Sequence, residues 1–131
     1  VSRELYKGVL GGTSTGVYNG MVKVQQPAQK TDSEQANHNI LLSDKADINT
    51  KPELEIYADD VKCAHGTTVG QLDADALMYM RMRGIPKAEA VHMLTQAFAD
   101  ELLGELEDES LRSVMETEVS NRLSTMRDSQ A

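Results

Sequence analysis

Two hydrophobic periods divide the chain near Gly70. Before it, apolar residues come as alternating pairs in "GVYNGMVKV", "NILLSD", "KADINT", "ELEIYAD" and "DVKCAHG", separated by Gly, Asn, Thr and Asp. Runs of roughly three to five residues with every second position apolar read as short strands with one buried face. The pairs recur. Val22/Val24 is followed 18 residues later by Ile40/Leu42, and 14 after that by Leu54/Ile56, while Ala46/Ile48 returns as Val61/Cys63 after 15. Two interleaved series at a near-constant step predict coils stacked as a parallel β-solenoid. A β-sandwich is the rival, and it would carry longer strands and clearer two-residue hairpin turns.

Beyond Gly70 the spacing becomes helical. Asp73 is placed to cap a helix with Ala76, Leu77 and Met80 on one face, stopped by Gly84 with Pro86 just beyond. Pro86 suits the first turn of a second helix carrying Val91, Leu94, Ala97, Phe98 and Leu102. Gly104 and "ELEDE" interrupt it, and Asp108 or Ser110 caps a third helix with Leu111, Val114 or Met115, Val119, Leu123 and Met126 on one stripe. The closing "RDSQA" is expected to fray. The prediction is a mixed fold, β then α: coils over residues 1–70 and a small helical domain over 71–131. Such coils expose unpaired positions at their end, so the helices serve either as a cap or as a docking module.

Charge narrows the partners. With 21 acidic against 13 basic residues the net charge is −8, and phosphate recognition needs clustered Lys and Arg, so nucleic acid and anionic membranes are not expected partners. No apolar run reaches the roughly 20 residues of a membrane span. One cysteine excludes an internal disulfide, and with seven methionines a reducing, cytoplasmic setting is expected. The chain opens on Val1 and runs directly into strand-like "SRELYKGVL", as a piece of a longer chain would.

The candidate chemistry centres on Cys63 and His65. Two apart on a strand, they face the same way, but their Cβ atoms would stand about 6.6 Å apart. Ligands of one metal need donors roughly 3.5 Å apart, given bonds of about 2.0 to 2.3 Å. They converge only if the strand bends, for which Gly66 offers a place. A C-x-H pair is far weaker than the multi-cysteine spacings of zinc sites. The residues alone favour a buried cysteine beside an incidental histidine, and a functional pair would need ligands from another chain. His38 is read as a solvated turn residue and His92 as the edge of a helix face. Asp59 and Asp60, adjacent and so on opposite faces of a strand, read as a turn. The glycines of "GGTSTGVYNG" lack the context of a nucleotide loop. Met80 is expected in the core, with Met78 and Met82 as an adaptable surface.

Taken together, "SRELYKGVL", "VYNG", "AQKTDSEQANHNILLSDKADINTKPELEIYADDVKCAHGTTVGQLDADAL" and "RMRGIPKAEAVHMLTQAF" resemble the C-terminal part of the SufB/SufD family, the scaffold proteins of the SUF iron–sulfur cluster assembly system. The likeness runs from Ser2 to about Leu106 and is most specific in "KPELEIYADDVKCAHGTTVGQLD"; "VKCAHG" looks like the SufD branch. "LMYMRMRGI" is richer in Met than family versions, and His38 stands where a basic residue is common. The resemblance implies a right-handed parallel β-helix followed by a helical C-terminal domain. It also implies a scaffold, not an enzyme, that pairs with a SufB-like subunit or with a second copy of itself and binds the SufC ABC-type ATPase through its helices. By motif position, His65 and with less weight Cys63 would be ligands of a transient iron–sulfur cluster at the scaffold interface. Leu77, Tyr79, Arg81, Arg83 and Ile85 would meet the ATPase. ATP-driven dimerisation of the ATPase would then pull on the helices and shift that interface. No motif supports a flavin site. Two other readings stand beside it: a carbohydrate-active enzyme built on a β-helix, for which Asp59 and Asp60 are the main carboxylates, and a purely structural partner subunit.

Overall fold

The computed structural model describes residues 1–128. Five strands come first: β1 (Ser2–Leu10), β2 (Thr15–Val24), β3 (Asp32–Leu41), β4 (Asp47–Ile56) and β5 (Lys62–Gly70). Three helices follow: α1 (Ala74–Met82), α2 (Lys87–Leu103) and α3 (Glu109–Asp128). The β-then-α order is the expected one, and the strands are longer than expected, at 9 or 10 residues each. The tail "RDSQA" is helical through Asp128, and its last three residues lie outside the described residues.

The right-handed parallel β-helix expected above is not found. All pairings are parallel, but they make two open sheets, β1-β3-β5 and β2-β4, which do not close into a solenoid. The physical reason lies in the repeat step. Val22 pairs with Leu54, and Ile40, the intermediate member of that series, belongs to the other sheet, beside Val9. One step therefore crosses between sheets, and only the double step brings strands side by side, as with Ser2 beside Ser33 and Thr15 beside Asp47. The strands also looked short because polar residues occupy buried positions. Ser33, Gln35, Asn37 and Asn39 alternate along β3 and are all buried.

The two sheets meet through their inner faces. Thr67 of β5 donates to or accepts from Thr50 of β4 at 3.0 Å between hydroxyl oxygens. The Tyr6 and Tyr18 rings tilt against each other with centroids 5.0 Å apart. Asn37 and Asn39 satisfy each other, with the Asn39 amide donating to Asn37 Oδ1 at 2.7 Å, and the same amide reaches the Thr68 carbonyl at 3.3 Å. Buried polar groups of this kind are tolerated because they are paired.

The helices start where the sequence places them. Asp73 caps α1, its carboxylate accepting from Asp75 N–H at 2.8 Å and Ala76 N–H at 3.2 Å. Gly84, at φ 88°, supplies the left-handed turn after α1. Pro86 occupies the N-cap of α2 rather than its first turn. Asp108 is the residue that caps α3, its carboxylate accepting from Leu111 N–H at 3.0 Å. In α2, Ala97 is exposed, while Ala90, Thr95 and Leu103 are buried, because the helix is packed by α1, α3 and β1 rather than along one stripe. The stripe of α3 is covered only in its second half: Leu123 is buried, whereas Leu111, Val114 and Met115 are exposed.

Candidate functional site

Strand β5 is an edge strand, bonded on one side to β3 and, among the described residues, to no strand on the other. Its inward positions lie in register with the buried polar row of β3: Cys63 beside Ser33, His65 beside Gln35, Thr67 beside Asn37. Cys63 and His65 thus share one face, as the spacing required. Cys63 is half-buried and His65 exposed, because β3 is flanked on both sides while β5 is open on one. Gly66 does not bend the strand; it lies inside β5 beside Ala36, and the strand runs on to Gly70. The two side chains therefore stand side by side along an open edge. Among the described residues no group of three or more His, Cys, Asp or Glu is arranged to hold a metal ion. What the edge offers is a thiol and an imidazole, both accepted ligands of iron, in a set too small to close a tetrahedral site from this side alone.

The row behind them is polar and buried. Gln35 is only 2% exposed; its amide nitrogen donates to Glu4 Oε2 at 3.0 Å, and its carbonyl oxygen has no partner among the described residues. The buried hydroxyl of Tyr18 is likewise without a partner among the described residues. Burial pushes the Tyr18 phenol up from its ordinary range, with Tyr6 and the Glu4 carboxylate adding to the effect, so it remains a neutral donor. Neither Glu4 nor Gln35 drew notice in the sequence. The signal that marks them is the polar alternation of "DSEQANHN" in β3, which fills an inward face with amides and a hydroxyl.

The other candidates separate. His38 is not a turn residue: it lies in mid-β3 on the opposite face, with Nδ1 2.8 Å from the Thr68 hydroxyl, its register neighbour on β5. It read as a turn because Asn37 and Asn39 flank it, and both are buried strand residues here. His92 is half-buried on α2. Asp59 and Asp60 lie exposed in the bend before β5, where the Asp60 backbone N–H donates to Gln29 Oε1 at 3.0 Å and its carbonyl accepts from Lys30 N–H.

On the helices, Leu77 and Arg81 line an open groove of about 400 Å³ with Ala74, Met78 and Met82. Tyr79 and Arg83 form a pair: the guanidinium donates to the phenol oxygen at 2.8 Å and lies 5.2 Å from the ring centre. Ile85 is half-buried after α1. Met80 is half-buried, and Met78, Tyr79 and Met82 are exposed, so α1 presents an apolar face on one side. No helix among the described residues is long and apolar enough to cross a membrane.

These features define a parallel two-sheet protein with a Cys–His edge strand and a helical unit bearing an exposed methionine-rich face. The chain belongs to the SUF system FeS cluster assembly, SufBD core domain family, whose model matches residues 1–98. It is 44% identical over 122 residues to the iron–sulfur cluster assembly protein SufD of Escherichia coli, covering 93% of this chain and 29% of that protein. It is 45% identical over 121 residues to an iron–sulfur cluster assembly SufBD family protein of Synechocystis, covering 92% and 27%. A SufD protein of Bacillus subtilis is 31% identical over 119 residues, covering 91% and 27%. The chain thus spans less than a third of the length of these curated relatives.

Proposed function

We propose that the protein is a scaffold subunit in the assembly of iron–sulfur clusters, acting without catalytic turnover of its own. It pairs with a SufB-like subunit in the cytoplasm, offers His65 and Cys63 as ligands to the cluster being built, and takes up the SufC ATPase through its helices. The observation that carries this reading is the placement of Cys63 and His65 on one face of β5, whose far edge has no strand beside it among the described residues. An edge strand is where a second polypeptide can approach, and a ligand pair that cannot complete a site alone is what an intermolecular cluster site needs. The cluster is cargo: the thiolate and imidazole would hold iron during assembly and give it up afterwards.

The groove along α1 supports the docking arm. Met78 and Met82 are flexible, polarisable side chains suited to an adaptable interface, and Arg81 borders them. Movement of docked ATPase subunits would be transmitted from α1 and α2 to β1, against which α2 packs, and on to the sheet that holds β5.

Two variants of the full-length protein test the two arms. His65→Ala should leave the complex assembled and empty of cluster. An unchanged cluster yield would contradict the ligand role and leave a structural partner. Truncation after Leu72 should abolish capture of the purified ATPase, and capture by the truncated protein would contradict docking through the helices.

A further inference from the structure

We infer that Gln35 positions His65: its side-chain carbonyl, unpaired among the described residues, stands on the rung beside the imidazole and accepts its N–H once the ring turns inward, fixing one ring tautomer and presenting the lone pair of the other nitrogen outward. The inference rests on the ligand reading of His65 given above and deepens it. Glu4, Gln35 and His65 occupy one register line across β1, β3 and β5, and register partners in a parallel sheet project on the same face. A carboxylate only accepts hydrogen bonds, so the contact with Glu4 fixes which end of the Gln35 amide is nitrogen. The carbonyl end lies buried without a partner among the described residues.

Neighbouring rungs show that side chains in register do meet in these sheets. Arg3 pairs with Glu34, Lys23 with Glu55 at 3.1 Å, and His38 with Thr68 at 2.8 Å across the same two strands, β3 and β5. The rung between Gln35 and His65 has an acceptor in need of a donor on one strand and, on the other, an exposed ring with no hydrogen bond among the described residues. Metal-binding imidazoles commonly donate their second N–H to such an acceptor, which sets the tautomer and ring direction. Glu4 acts one step further back, by holding the amide in that orientation.

The test needs no iron. In the full-length protein labelled with ¹⁵N-histidine, at a pH where the rings are neutral, two-bond ¹H–¹⁵N spectra report each tautomer, and His65→Gln assigns the His65 signals. The expected result is a single His65 tautomer that becomes the mixture of free histidine in Gln35→Leu and in Glu4→Gln. Release by Gln35→Leu alone keeps the assignment of Gln35 and removes Glu4 from it. If Gln35→Leu fails to fold, Glu4→Gln decides. A free-histidine mixture in the unsubstituted protein, or a single tautomer surviving both replacements, would overturn the inference. Because the readout is independent of cluster formation, its failure is distinct from failure of the ligand role tested by His65→Ala.

Discussion

Lys7, at the centre of β1, sends its ammonium group across to α2, where it donates to the Phe98 carbonyl at 2.8 Å and pairs with Glu101. The nitrogen also lies 4.4 Å from the centre of the Phe98 ring. The Lys7 side chain is 5% exposed, and its contacts help tie the helical unit to the three-stranded sheet. Replacing it with Met keeps the stem and removes the charge and donor. Hydrogen bonds from charged groups contribute roughly 1.5 to 3 kcal/mol, and Lys7→Met should lower stability by about that amount, with faster amide exchange in α2. A change in the urea midpoint too small to resolve would show that packing alone holds α2 in place.

The same contact gives a pH dependence. The hydrogen bond from Lys7, and then its charge, hold the Glu101 carboxyl below the usual carboxylate range. A carboxyl depressed on folding adds stability above its unfolded pKa, and that contribution is lost as pH falls through the folded value. The carboxylate is 75% exposed, so salt screens it and the effect is small. Stability of wild type and Glu101→Gln, compared across pH at low salt, should differ near neutrality and converge in acid. A difference that grows on acidification would contradict this sign.

Gly20 lies where β2 faces the Glu4–Gln35 contact. Its missing side chain leaves room that a Cβ would fill at 2.5 Å from the Tyr18 hydroxyl and 2.9 Å from Gln35 Nε2. Gly20→Ala should displace both and cost about 1 to 3 kcal/mol, the range for overpacking. An unchanged thermal midpoint would mean that Tyr18 swings clear without loss.

Asp73 caps α1 with two hydrogen bonds. Asp73→Ala should cost about 1 kcal/mol, the usual value of a cap, and Asp73→Asn should retain most of it. If α1 carries the ATPase contact, the alanine variant also binds the ATPase more weakly than the asparagine variant. Equal binding by the two, with the expected stability difference, would move the contact off α1.

The helices were the most legible part of the sequence, because their ends are written in local chemistry. Asp73, Gly84 and Asp108 each act within a few residues of where they stand. Strand pairing was harder, since partners lie two steps apart and the visible repeat links strands of different sheets. The row Ser33, Gln35, Asn37 and Asn39 hid all of β3 but its apolar end at Ile40, because buried amides carry no hydrophobic signature and only the pairing of Asn37 with Asn39 shows why they are tolerated. That same row concealed His38 as a strand residue. The common face of Cys63 and His65 did follow from their spacing, but the open edge beside them is a property of sheet order, which only the three-dimensional arrangement supplies.

The ligand role of His65 is tested most directly by pulsed electron paramagnetic resonance on the reduced cluster held by the full-length protein and its partner scaffold. With ¹⁵N-histidine in this chain alone, the account predicts a hyperfine coupling from an imidazole nitrogen bound to iron, absent in the His65→Gln complex. A cluster that forms with no histidine nitrogen coupled to it, or a coupling that persists unchanged in His65→Gln, would contradict it.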